Sequence, residues 1–201
     1  DVTVQRVLEA AARLAYLPED GPFAALAAKP LRLAFLLPAG TNRYLRMLGE
    51  TVGYMEDQLA PLNVRCRAHT IEGFDPRVLA ERLLHHGRRS DGVALMPLEH
   101  PLVREAVHTL AEEGVPVVTL VSDLSNSRRA GYVGLDNRAA GRTAALLLGR
   151  FIGARAATVG LIAGSRSYRG HEEREAGFQH IMEEQFPHLT VVGLREGQDD
   201  V

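Results

Sequence analysis

The chain has 201 residues, 46% of them hydrophobic and 24% charged, enough for one large domain or one and a half smaller ones. Its net charge of −2 excludes a chain that binds nucleic acid through overall positive charge. A single cysteine, Cys66, excludes an intramolecular disulfide and fits a reducing compartment; no apolar run approaches the ~20 residues that span a bilayer and Asp1 opens no signal peptide, so the expected place is the cytoplasm, with no membrane partner.

Taken in order, Val4, Val7, Leu8, Ala11 and Leu14 recur at helical spacing, with Thr3 or Asp1 able to cap the start and Pro18 ending the element. This helix is amphipathic and too short to be stable alone. Gly21–Lys29 is a small-residue connector closed by Pro30, and the composition shift marks a boundary. Leu31–Pro38 is almost continuously apolar, as expected of a parallel strand buried on both faces. Leu45, Leu48, Val52, Met55 and Leu59 mark a helix face, Val64–Thr70 a second strand, and Val78, Leu79, Leu83 and Leu84 a second helix ending near Gly87. Asp91–Met96 is a third strand, Val103, Ala106, Val107 and Leu110 a third helix ending at Gly114, and Val115–Val121 a fourth strand. Unbroken alternation predicts an α/β fold, a doubly wound parallel sheet with right-handed crossovers.

A polar loop, SDLSNSRRAG, follows Val121, and its length suggests a crossing between domains. Then come a short strand at Tyr132–Val133, a helix from Arg138 to about Ile152, a strand at Thr158–Ile162, a helix from about Gly170 to Gln185 and a strand at Thr190–Leu194. The expected division is a preceding segment over 1–29, a first α/β lobe over 30–122, and an incomplete second lobe over 123–201.

Open α/β sheets hold ligands outside the carboxyl ends of their strands, and those ends are polar here. The first strand leads into Asn42, Arg43 and Tyr44; Asn42 offers a donor and an acceptor, and Tyr44 an apolar face plus a hydroxyl, unless its ring is a core contact at the helix start. Glu99 and His100 follow the third strand, as ligand groups or solvated loop residues. Asp123 follows the fourth, as a ligand group or in an Asx-type turn. Asp136 suits a helix N-cap, with or without a ligand contact. Ser165 to Arg174 follows the sixth strand, and the five donors of Arg174 can clamp two ligand oxygens and pair with Asp136. The histidines show no metal-ligand spacing, and no metal or cofactor is expected. No GxGxxG, P-loop lysine or nucleophilic triad is present, and nothing near Cys66 would activate it, which argues against an enzyme.

Four segments together carry a family resemblance. VQRVLEAAARLAYLP at 4–18 is similar to the last helix of the helix-turn-helix head of LacI-type bacterial transcription regulators, usually RVLEAAxELGYxPN, with Ala15 where that family has Gly and Glu19 where Asn is common. LRLAFLLPAGTNRY at 31–44 is similar to its first core strand and ligand loop. PVVTLVSDLSNSRRAGYVGLDNRAAGR at 116–142 is similar to its switch into the second lobe, and VGLIAGSRSYRGHEEREAGF at 159–178 contains its RxxGF motif as Arg174 to Phe178. The core of that family resembles periplasmic sugar-binding proteins.

The resemblance implies a homodimeric regulator whose inter-lobe cleft takes a small effector, a sugar or sugar derivative, with closure controlling DNA binding by the head. It makes Arg174 a ligand contact and Leu26 the candidate for the leucine wedged into the minor groove. The recognition helix and the last strands of the second lobe are absent from these residues, so the expectation is that this stretch alone does not read base sequence. Arg43, Arg166, Arg169 and Arg174 leave a sugar phosphate or sugar acid open beside a neutral sugar. A periplasmic-type sugar-binding protein of a transport system is the alternative, and a nucleotide-dependent enzyme is disfavoured by the missing phosphate loop.

Overall fold

A computed structural model describes residues 29–39 and 43–197, together with Arg6 and Ala10, both helical. The expected helix over 4–18, the connector, Leu26 and Asn42 otherwise lie outside the described residues.

Strand β1 (Leu31–Pro38) is central because its side chains are apolar on both faces, and Ala34, Leu36 and Leu37 are buried. It pairs in parallel with β2 (Val64–Ile71), Leu31 opposite Val64, and with β3 (Gly92–Leu95), Leu33 opposite Gly92. Strands β4 (Val117–Leu120) and β5 (Gly131–Val133) complete a five-stranded sheet of order β2-β1-β3-β4-β5. The chain winds one way from β1 to β2 and the other way to β3, so the crevice that serves ligands opens outside the carboxyl ends of β1 and β3.

Helix α1 (Arg43–Leu59) buries Leu45 and Val52, while Met55, on the expected core face, is 38% exposed. Helix α2 (Pro76–Gly87) is capped by the Asp75 carboxylate, which accepts from Arg77 N at 2.8 Å. Helix α3 (Pro101–Glu112) seats Val103, Ala106, Val107 and Leu110 in the core, as its spacing predicts. Val115 is not in β4: its N–H donates to Leu110 O at 2.8 Å and closes α3.

Residues 123–133, assigned by sequence to the second lobe, return to the first sheet, where Tyr132 lies opposite Thr119 in β4. The chain leaves that sheet after Val133 rather than after Ser122. Helix α4 (Asn137–Ile152), β6 (Ala157–Ala163), helix α5 (Arg169–Gln185) and β7 (Leu189–Glu196) form the second lobe, with β6 and β7 parallel. Its core gathers Ala145, Val159, Phe178, Ile181, Met182 and Leu189.

The loop after β6 ties the two parts together. Tyr168, 3% exposed, sits in the core of the first lobe, edge-on to Phe74 at 5.8 Å between ring centres. Glu99 N donates to Ser167 O at 2.9 Å. Gly170 N, an orphan amide of the first turn of α5, donates to the Oγ of Ser122 at 3.1 Å; Tyr168 supplies no side-chain cap, so the cap comes from the other lobe. Ser122→Ala should lower stability by about 1 kcal/mol, the usual worth of a cap, and amide hydrogen exchange should accelerate first at Gly170 and His171; unchanged protection there would mean the bond does not form.

Candidate ligand-binding cleft

A cavity of about 560 Å³ lies where the two parts meet, at the carboxyl ends of the first sheet. Its apolar lining comes from Leu45, Met96, Val121, Val133 and Leu135, and its polar lining from Tyr44, Asn137, His171 and Arg174. Tyr44, 51% exposed in the first turn of α1, presents its ring to the space rather than to the core.

The polar wall is built from behind. Asn137, 2% exposed, opens α4; its Oδ1 accepts from Arg174 Nη1, and its Nδ2 donates to the Tyr132 hydroxyl and to Leu135 O, both at 3.3 Å. The Tyr132 hydroxyl lies 3.0 Å from both Val121 O and Leu135 O, and burial pushes this phenol above its usual pKa, so it stays a neutral donor. Arg174 Nη2 lies 3.0 Å from His171 Nδ1, which Gly164 N approaches at 3.3 Å. With one guanidinium N–H on Asn137 and one on His171, three of the five donors are uncommitted among the described contacts.

Val121 lines the same space with φ of 65°, and Ser122 N donates to Leu120 O at 2.6 Å around it. A β-branched residue in the left-handed region carries strain of order 1–3 kcal/mol, and such strain gathers at ligand sites.

The remaining sequence candidates are placed elsewhere. Arg43 is exposed at the start of α1 and does not line the cavity. Glu99 is engaged inside the first lobe: one oxygen accepts from Arg104 at 2.6 Å, and the other from Ser125 N and Oγ at 3.0 and 2.8 Å. Asp123 accepts from Thr119 Oγ1 at 2.7 Å and pairs with Arg129 at 2.6 Å, bracing the loop before β5 rather than forming a simple Asx turn. Asp136 is an exposed cap that accepts from Ala139 N at 2.9 Å; among the described contacts Arg174 pairs with its neighbour Asn137 instead. Ser165 is buried in a turn, where its Oγ accepts from Ser167 N at 3.2 Å. Arg169 is tied to Glu173 at 2.7 Å, and Arg166 lies 3.7 Å from Glu175, which leaves Arg174 as the arginine of the cavity wall.

Sequence reasoning passed over Asn137 and His171. The first stood beside a better N-cap. The second precedes Arg174 by three residues and so shares its helix face, a signal that was available. Among the described residues no group of His, Cys, Asp and Glu is arranged to hold a metal, and no helix is long and apolar enough to cross a membrane. Cys66 is 2% exposed, and burial pushes its thiol pKa up, so it is no nucleophile.

A family model described as a periplasmic binding protein domain matches residues 80–201, more than half the chain. The chain belongs to this family. The matched stretch includes β3 to β7 and hence most of the cleft wall, with Tyr44 and Leu45 outside it. No curated protein matches the chain. Among solved structures, the chain is similar to an ABC transporter solute binding protein from Burkholderia graminis C4D1M in complex with D-arabinose, at 22% identity and TM-score 0.76, over 86% of this chain and 58% of that one. It is also similar to GanP, a glucose-galactose binding protein from Geobacillus stearothermophilus, at 21% identity and TM-score 0.73, over 84% and 59%. A periplasmic ribose ABC transporter protein from Conexibacter woesei DSM 14684 aligns at 21% identity and TM-score 0.65, over 85% and 55%. These likenesses establish the periplasmic binding protein-like α/β fold. The chain spans less than three fifths of each of these proteins.

Proposed function

We propose that the cleft binds a small carbohydrate-like ligand, and that the chain is the effector-binding core of a LacI-type transcription regulator in which cleft closure controls DNA binding by a helix-turn-helix head. One observation carries the ligand class: an exposed Tyr44 ring and an Arg174 fork, oriented from behind by Asn137 and His171, share one cavity with an apolar floor. The aromatic face suits the C–H side of a sugar ring, and the fork suits neighbouring hydroxyls. With Arg166 and Arg169 near carboxylates of α5, the wall carries one arginine, which favours a neutral sugar over a sugar phosphate. The sugars named for the arabinose, glucose-galactose and ribose proteins agree with this class.

The regulator reading rests on the resemblance of residues 4–18 to the end of the family's DNA-binding head. A dimer is proposed with it, supported by an apolar groove of about 360 Å³ between α2 and α3, bordered by Ala80, Leu84, Leu102 and Ala106. The solved relatives favour a second reading, a sugar-binding protein of a transport system. DNA retention separates the two. The parent protein of the first reading shifts an operator fragment and releases or tightens on it with sugar; that of the second does neither.

The ligand itself is found by a thermal-shift panel of pentoses, hexoses, sugar phosphates and sugar acids. A ligand at ~100 times its Kd should stabilise by about 2.7 kcal/mol, a rise of several degrees in Tm, and Arg174→Ala should cut that rise sharply. A panel in which no sugar moves the wild-type Tm, or in which the variant responds like the wild type, would overturn the carbohydrate reading.

A further inference from the structure

At the opposite, amino-terminal end of the first sheet lies a second cavity of about 310 Å³ whose lining includes Arg32, Arg65, Arg67, His69, His86 and Arg89. Arg65, Arg67 and His69 alternate along β2 and therefore share one face, and Arg32 stands beside Arg65 in the β1 register. The His69 ring stacks on that of His86 from the last turn of α2, 3.8 Å between centres. Asp91 neutralises Arg32, holding its backbone N–H at 2.8 Å and its Nε at 3.2 Å. Among the described residues no carboxylate pairs with Arg65, Arg67 or Arg89; Arg89 instead lies against the ring of His85. In a chain of net charge −2 this is a local excess of positive charge around a concavity.

We propose that this cavity is a binding site for a small tetrahedral oxyanion of the phosphate or sulfate class, free or carried on a small molecule. The inference is independent of the carbohydrate reading, since no residue of the cleft takes part. Guarding an edge strand needs only charges along β2, not a further cation, Arg89, brought to the same hollow by the turn after α2. The space is about ten times the ~30 Å³ share of one water, room for a tetrahedral anion and its remaining hydration. Carbonyls at the C-terminus of α2 do not repel the anion as open acceptors. Leu84 O, His86 O and Gly87 O take the N–H groups of Arg88, Arg89 and Ser90, and His86 O also takes the Ser90 hydroxyl. Guanidinium forks match the oxygens of such an ion bidentately.

The histidines report occupancy. Burial, then the charges of His69, His85, Arg82 and Arg89, lowers the His86 pKa from 6.5 to about 4, and burial with Arg67 and His85 lowers that of His69. Below pH 6.5 the unfolded chain takes a proton that folded His86 refuses, so stability falls as pH drops toward 4. A bound dianion reverses the local repulsion, raises both pKa values and shrinks that loss.

The test is histidine side-chain NMR of the whole chain, titrated with sodium sulfate against sodium chloride at constant ionic strength; sulfate remains a dianion throughout. The expected result is a saturable shift at His69 and His86 with their pKa values raised, none at His188 in the second lobe, and roughly tenfold weaker binding in Arg67→Ala, an exposed-strand variant that keeps the fold. Inorganic phosphate should compete. Shifts that never saturate, that occur equally at His188, or that survive Arg67→Ala together with Arg65→Ala would overturn the proposal. So would shifts produced by duplex DNA of arbitrary sequence but by neither free anion, which would make the surface a nucleic-acid contact.

Discussion

Gly177→Ala and Gly141→Ala are each expected to melt far below the wild-type chain, by an amount no other single-methyl addition among the described residues outside α4 and α5 should match. A Cβ on Gly141 would stand 1.9 Å from the carbonyl oxygen of Arg174, and one on Gly177 would stand 2.1 Å from that of Arg138. The two sites are reciprocal: each glycine of one helix faces the backbone of an arginine on the other. Backbone cannot rotate aside as a side chain does, so the methyl group must push α4 and α5 apart. Phe178, Ile181 and Met182 on α5 pack with Ala145 on α4, and separation opens that core. Overpacking costs typically 1–3 kcal/mol, and a backbone clash on both helices belongs at about 3 kcal/mol or beyond. For a chain of this size that lowers Tm by roughly 6–12 °C. Gly53→Ala is the control. It lies exposed inside α1 with nothing within 4 Å of its Cβ, so the same methyl should stabilise by up to about 1 kcal/mol. Urea melts followed by circular dichroism decide the matter; Gly177→Ala and Gly53→Ala moving the midpoint in the same direction would refute the close-approach account. Function should move with stability, because the carbonyl that Gly141 accommodates belongs to Arg174 itself.

Much of this was legible in the residues, and the boundary between legible and illegible has a physical cause. β1 reads as a strand buried on both faces because one apolar run meets two helical layers, and α3 reads correctly because its core stripe is uninterrupted. Arg174, Gly177 and Phe178 stand together in one short motif since one turn of α5 supplies a side chain to the cavity wall, a close helix contact and a core ring. Strand β5 was harder. Its three residues carry too little pattern to say which sheet they join, and it is the partner β4 that decides. Glu99 and Asp123 stand at the carboxyl ends of strands, where ligand carboxylates belong, yet each meets a neighbouring arginine, Arg104 and Arg129. Those pairings lie five and six residues along the chain, across turns whose shape neither helical nor strand periodicity encodes. At the next strand end the sequence points to Asp136, and Asn137 beside it is passed over. The helix direction exposes the first as a cap and buries the second behind Arg174.

That division of labour between Asp136 and Asn137 yields the second large effect. Asn137→Leu is expected to weaken ligand binding by one to two orders of magnitude while leaving a folded chain. The substitution keeps the number and branching of the side-chain heavy atoms but removes the Oδ1 that holds Arg174 and the Nδ2 that serves the Tyr132 hydroxyl and Leu135 O. The Tyr132 proton still has Val121 O and Leu135 O within reach, so few buried polar groups are orphaned and the stability cost should stay near 1–2 kcal/mol. Arg174, freed from Asn137, must order its fork when the ligand arrives, and a factor of ten to a hundred corresponds to about 1.4–2.8 kcal/mol. Asn137→Asp retains an acceptor for the guanidinium and should recover much of the affinity, whereas Asp136→Ala should cost only its cap, roughly 1 kcal/mol of stability, with binding preserved. The decisive comparison is the double variant. If Asn137 acts by positioning Arg174, then Asn137→Leu on an Arg174→Ala background adds little further loss, and the coupling energy is of the order of the single-variant effect. Titration calorimetry with the best ligand from the thermal panel reads all four corners of that cycle. Strict additivity would mean that Asn137 meets the ligand directly rather than through Arg174.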